Sequence, residues 1–208
     1  MMQGDDLAHW LAQRAGKLTA SRMRDAMDFL KNGNPSAKRS QLLRELLAER
    51  LTGDSVRHFV TDAMQHGLDT EEEAKAAYEA ETGSLVGEAG FYDHPRIDNF
   101  GATPDGLIGR DGLIETKAPT TPTFVDWIMA GVVPEEHKPQ MIVQCACAGR
   151  SWVDFVAYDP RIKDSERRLF VRRFTPSAEE IAAVEAAAVA FLADLDAMFE
   201  SFTTKTSR

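Results

Sequence analysis

Between Thr103 and Pro119 the chain reads TPDGLIGRDGLIETKAP, two Gly-Leu-Ile runs on either side of a glycine-flanked break. Short β-prone runs split by such a turn signal form an antiparallel hairpin, and the apolar content of this one sends it into a buried sheet. Yet it also carries two acids and a base. With Gly109 to Gly112 as the turn, residues 105 and 115 lie nearly opposite one another, where Cβ atoms are about 4.5–5.5 Å apart. Glu115 and Lys117 are two apart on one strand and share a face, while Thr116 points away. Asp105, Glu115 and Lys117 therefore converge. Two carboxylates that close repel unless positive charge lies between them, and an all-oxygen site suits Mg²⁺ or Mn²⁺. Lys117 would then activate water or steady negative charge as it develops. A solvent-facing hairpin with a surface ion pair has the same spacing, so geometry alone leaves both readings open.

The segments around the hairpin set the fold class. Helical patterns come first: HWLAQRAGKLTASRMRDAMDFL, broken at Gly16 and resumed behind a Thr19 or Ser21 cap, then QLLRELLAERLTG closing on Gly53. A polar loop, NGNPSAKRS, lies between them and includes Lys38 and Arg39. TEEEAKAAYEAETG is a further helix, with Thr70 and Glu73 spaced as a capping box and Gly83 as its stop. GEAGFYDH, NFGATPDGLIG and GLIETKAP follow as three β runs. Then come two helices (PTFVDWIMAG and PEEHKPQMIVQCACAG), two strands (SWVDFVAYD and LFVRRFT) and a long Ala-rich helix from about Ser177 to Phe202. This order predicts an α/β layer fold with a central mixed β-sheet flanked by helices. A chain of 208 residues fits one domain, divided as a helical segment 1–60, a core 61–175 and a C-terminal helix 176–208.

The net charge of -9 argues against nucleic acid at first sight, but its distribution does not. Residues 1–60 hold ten Lys/Arg against seven Asp/Glu, and residues 161–175 hold six against two. Residues 61–104 hold two against ten. Nucleic acid responds to local potential, so basic ends around an acidic middle remain compatible with it. No basic region followed by an apolar run opens the chain, and no stretch has the roughly 18 apolar residues of a membrane helix, so no membrane role is expected. The only cysteines, Cys145 and Cys147, are too close for an ordinary disulfide, which points to a reducing, cytoplasmic setting. The five histidines make no close pair for zinc, and no Walker-type loop announces ATP.

Pro104-Asp105, a gap of nine residues and Glu115-x-Lys117 resemble the PD-(D/E)XK nuclease signature. More narrowly, GDDLAHWLAQRAGKLTASRM, TEEEAKAAYEAETG, TPDGLI, GLIETKAP, KPQMIVQ and VAYDPRI, in this order and with compatible spacing along the chain, resemble segments of the lambda exonuclease family, the YqaJ-like viral recombinases or alkaline exonucleases. The resemblance implies a restriction-endonuclease-like core and a Mg²⁺-dependent (or Mn²⁺-dependent) deoxyribonuclease. It would digest duplex DNA 5′ to 3′, releasing 5′-mononucleotides and leaving 3′ single strands for recombination. It further implies two ions per site, a homotrimeric ring around the duplex and a single-strand annealing protein as partner. Carried over by position, Asp105 would bridge the ions, with Glu115, the Thr116 carbonyl and Glu71 as further ligands and Lys117 as the catalytic lysine. Glu71 shares a helical face with Ala74 and Tyr78, which favours it over Glu72 and Glu73. Gln140 matches the first glutamine of a Q-x-Q pair, whose second place holds Ile142. Trp10, Arg14 and Ser21 fall near the DNA end, with Arg14 and Ser21 suited to a terminal 5′-phosphate, and Lys31 would lie along the backbone. Three other readings stay open: an endonuclease or nickase with the same core, a non-catalytic DNA-binding protein on the same fold, and a structural Ca²⁺ site.

Overall fold

A computed structural model describes residues 12–55 and 62–206. In chain order its elements are β1 (Leu18–Thr19), a 3-10 turn (Ala20–Arg22), α1 (Met23–Ala26), α2 (Ala37–Thr52), α3 (Asp62–Thr82), β2 (Val86–Gly87), β3 (Tyr92–Asp93), β4 (Phe100–Ala102), β5 (Gly106–Ile108), β6 (Gly112–Lys117), α4 (Thr121–Ala130), α5 (Lys138–Ala148), β7 (Trp152–Tyr158), β8 (Leu169–Phe174) and α6 (Ala178–Thr206). Two mixed sheets result. The larger has the order β2-β5-β6-β7-β8 and the smaller β1-β4-β3.

The hairpin forms as its sequence dictates. β5 pairs antiparallel with β6 through Gly106↔Ile114, Leu107↔Leu113 and Ile108↔Gly112. Gly109 opens the turn at φ +52°, a left-handed conformation that glycine adopts without a Cβ clash. Gly112 answers a different need. A Cβ built there would stand 2.1 Å from the Trp152 ring, its neighbour across the parallel β6–β7 ladder. Arg150 fastens the turn by donating from Nη1 to the carbonyls of Gly109 and Gly112.

Alternation along β6 divides the core. Leu113 joins Phe124, Met141, Cys145, Val153 and Phe155 beneath α4 and α5. Ile114 joins Tyr78, Ile108 and Val156 beneath α3. A third cluster binds β1, α1, α2 and β4 to α5 and to Val184, Ala188, Phe191, Leu192 and Leu195 of α6. Cys145 and Cys147 are both buried and free, and burial pushes both thiols up to about 12. That suits packing and not nucleophilic chemistry. No helix among the described residues is long and apolar enough to cross a membrane.

Several expected details are corrected. Leu18–Thr19, expected within a helix start, is a strand paired in parallel with Phe100–Gly101, and neither the Thr19 nor the Ser21 side chain caps the turn and helix that follow. NFGATPDGLIG is two strands in different sheets, because Pro104 lacks the N–H that a continuous ladder needs. Thr70 is buried within α3, which begins at Asp62, so Thr70 and Glu73 form no capping box. Arg39 is not in the polar loop. It lies in α2, 3% exposed, donating to the Ala26 carbonyl and to Asp194 of α6.

Candidate active site

Three elements bring the site together: the β5–β6 hairpin, α3 on one side and α5 on the other. Glu115 sits near the end of β6, opposite Phe155 of the central strand β7, and is 1% exposed. A buried carboxylate needs partners, and it has three. Lys117 Nζ and Gln140 Nε2 both approach Oε1, the latter at 2.6 Å, and Gln144 Nε2 donates to Oε2. Burial and then the charge of Asp105 push the Glu115 carboxyl up, with Lys117 opposing. The carboxylate of Asp105 is thus near enough to act on it, as the hairpin register requires.

Asp105 is held differently. Its N–H donates to the Ile114 carbonyl, and its Oδ2 accepts from the backbone N–H and the hydroxyl of Thr116 at 2.7 and 2.8 Å. Thr116 was expected to point away from the acids, and its hydroxyl instead grips one of them. Backbone and hydroxyl donors at one oxygen fix the carboxylate's direction.

Lys117 is drawn between opposing influences. Burial lowers its pKa, but Glu115, Asp105 and Glu71 together raise it above the ordinary lysine value. The side chain is an ammonium at neutral pH, suited to binding negative charge. Glu71 is half-buried on α3 and accepts from Lys75 at 2.6 Å, while Glu72 and Glu73 are exposed. The charges of Glu71, Glu72 and Asp105 hold Lys75 as a cation. Glu71, Asp105 and Glu115 therefore lie in one electrostatic neighbourhood, stitched by two lysines.

These donors suit a hard divalent cation: all are oxygens, and the paired carboxylates gain from positive charge between them. Among the described residues, no group of three or more His, Cys, Asp or Glu side chains is arranged as a metal cage. Lys117 and Lys75 meet the acids instead.

A cavity of ≈ 230 Å³ opens beside Lys117, lined by Ala20, Ser21, Arg24, Asp25, Glu136, His137 and Gln140. Ser21 is exposed in the 3-10 turn, with its hydroxyl 3.4 Å from that of Thr19. Arg14 donates from Nη1 to Thr103 Oγ1 at 2.8 Å, two residues before Asp105. Burial and the nearby Arg22 lower Arg14 to about 10, against the pull of Glu49. Lys31 is exposed in the loop between α1 and α2 and does not line the cavity. Trp10 lies outside the described residues.

Residues 9–151 match the YqaJ-like viral recombinase domain. The chain belongs to the YqaJ-like viral recombinase family. Among solved structures it is similar to an alkaline exonuclease from Laribacter hongkongensis, with 42% identity and a TM-score of 0.88 over 96% of this chain and 97% of that one. The same exonuclease in complex with dAMP matches equally. A phage-related exonuclease from Haemophilus somnus 129PT shares the fold at 15% identity, with a TM-score of 0.68 over 89% of this chain and 96% of that one. No match is found among curated proteins.

The YqaJ-like chain also contains site residues that sequence reasoning passed over. Gln144 is one: attention to a Q-x-Q pair led to Ile142, which is buried with the apolar core of α1, α2 and α6. Gln140 and Gln144 are four apart on α5, one turn of helix, and that spacing was the available signal. Arg24 and His137 are two more, and nothing local in the sequence ties either to Lys117. They meet only because α1 and the 3-10 turn Glu135–His137 flank the same cavity.

Proposed function

We propose that the protein is a metal-dependent deoxyribonuclease that digests one strand of linear duplex DNA from its 5′ end, releasing 5′-mononucleotides and leaving a 3′ single strand for recombination. One observation carries the reading. A fully buried glutamate beside Asp105 is met by Lys117, Gln140 and Gln144, in a chain 42% identical along nearly its whole length to an alkaline exonuclease.

Asp105, Glu115 and the Thr116 carbonyl, with Glu71, would hold Mg²⁺ or Mn²⁺, two ions in the full site. When bound, such ions supply Lewis-acid charge at the phosphodiester. The protein's own groups do the rest. Lys117, kept as an ammonium by its acids, neutralises negative charge growing on the phosphate. Gln140 and Gln144 keep Glu115 from turning. Arg14, bonded to Thr103, binds the terminal 5′-phosphate, for which a guanidinium's paired N–H groups are well shaped. The cavity lined by Ser21, Arg24 and His137 takes the nucleotide being removed.

We also assign the family's homotrimeric ring and its annealing-protein partner to this chain, in the cytoplasm. Self-association is supported by exposed apolar side chains on and after α4, namely Val125, Ile128, Met129 and Val132.

Strand-specific end-labelling of linear duplex, with and without a 5′-phosphate, tests the reading. We expect Mg²⁺-dependent loss of the 5′ label as mononucleotide, sparing of closed circles, and no digestion by Asp105→Asn. Cutting of circles would instead indicate an endonuclease or nickase on the same core. No nucleotide release from 5′-phosphorylated duplex with either metal would leave a non-catalytic DNA-binding protein.

A further inference from the structure

We propose that Gln144 is the positioning residue for Glu115, tying one carboxylate oxygen so that only the other faces the reacting centre. The inference rests on reading Asp105 and Glu115 as a cation-binding pair. Gln144 lies on α5 one turn beyond Gln140 and is 0% exposed. Its Nε2 donates to Oε2 of Glu115, while Lys117 and Gln140 share Oε1. The two oxygens of Glu115 thus have separate tasks. Oε1 meets Lys117 and Gln140, both of which line the cavity, and Oε2 meets the fully buried Gln144. A residue with no exposed surface cannot touch DNA, so Gln144 acts through Glu115.

A second observation separates this role from packing. Gln144 Oε1 is buried with no hydrogen-bond partner. An unpaired buried amide oxygen destabilises a fold, and the neighbours Met141, Val143 and Cys145 are apolar and buried. A methionine at 144 would fill similar space without that penalty. The amide therefore serves through its donor end, and that end is on Glu115. Partners that orient a ligating side chain from behind typically change metal affinity or activity by about 10–100-fold when removed.

The test compares wild type, Gln144→Met, which keeps length and volume, and Gln144→Asn, which keeps the amide but withdraws it by one methylene. Bound Mn²⁺ is measured by loss of the free-ion paramagnetic resonance signal, without DNA. Melting temperature and steady-state kinetics on 5′-phosphorylated duplex accompany it. We expect both variants to fold, Gln144→Met to melt within a few degrees of wild type because relief of the orphan amide oxygen is offset by the Glu115 Oε2 left without a donor, and Mn²⁺ binding to weaken by about 10–100-fold in each. The kcat should fall in step while KM for duplex ends holds. Wild-type Mn²⁺ affinity in any variant that folds would overturn the assignment and leave the metal-centred reading intact. Failure of both variants to fold would make Gln144 a core residue and overturn it too. A wild type that binds no Mn²⁺ would remove the metal-centred reading, and this inference with it.

Discussion

Lys117 is kept charged by its neighbours: Glu115, Asp105 and Glu71 outweigh a burial that by itself lowers the pKa of its amine. Its work is therefore electrostatic before it is anything else, and Lys117→Met, which keeps the stem and removes the ammonium, should lower kcat by about 10²–10³-fold. Single-turnover digestion of labelled duplex measures this, and an effect confined to KM would contradict it. His137 shows the opposite balance. Burial, then the charges of Lys117 and Arg24, lower its pKa to about 4, against Glu136. The unfolded chain takes up that proton near pH 6.5, so stability falls as the pH drops from about 6.5 to 4, by about 3 kcal/mol from this group. In His137→Gln the melting temperature should decline less steeply across that window. Gln144 belongs to this scale as well, and it is where sequence reading stopped short. Its only signal in the sequence is the one-turn spacing from Gln140, and its partner shows only when the helix places it against Glu115. The acids were legible earlier because a hairpin's register is local, and nine residues of spacing suffice to align Asp105 with Glu115.

Among the elements, those with local signals were legible and those completed by distant partners were not. α4 and α5 stop at Gly131 and Gly149 as their sequences require. β7 and β8 follow their apolar runs. β1 could not be seen, because two residues become a strand only by meeting Phe100 and Gly101 some eighty positions later. The start of α3 was misplaced for a related reason: the acids 71–73 look like a helix opening, yet the helix begins at Asp62. β6 is the element on which the site depends, and its fit to β7 is close. In Gly112→Ala the new methyl group would meet Trp152, whose ring also carries the Arg173 guanidinium at 3.5 Å. We expect a loss of about 1–3 kcal/mol, read as a lower urea midpoint with an unchanged slope.

The whole molecule is held together from its two ends. Phe191 of α6 is fully buried against the N-terminal elements, and the Arg39 guanidinium lies 5.1 Å from its ring while bonding to Asp194. Arg50 reaches Asp196, and His94 and Arg96 both reach Glu185. Phe191→Ala should therefore cost about 3–5 kcal/mol and lower the melting temperature by about 10 °C. A drop under about 2 °C would show that α6 is not part of the cooperative unit. None of these ties was visible in sequence, where Arg39 sits in a run of polar residues and Asp194 between Ala193 and Leu195 of a long helix.

The parallel ladder between β6 and β7 has a consequence for the time at which the site comes into being. β5 and β6 can zip together as soon as they emerge, but β6 gains its second neighbour only after α4 and α5 have been made, some forty residues later. Gln140 and Gln144 also arrive in that interval. A nascent chain halted at the hairpin would carry every acid assigned to the chemistry, with Asp105 already gripped by Thr116 but Glu115 lacking both glutamines. If the enzyme cuts DNA as proposed, the cell that makes it meets the activity only after α5 and β7 have been added to the hairpin.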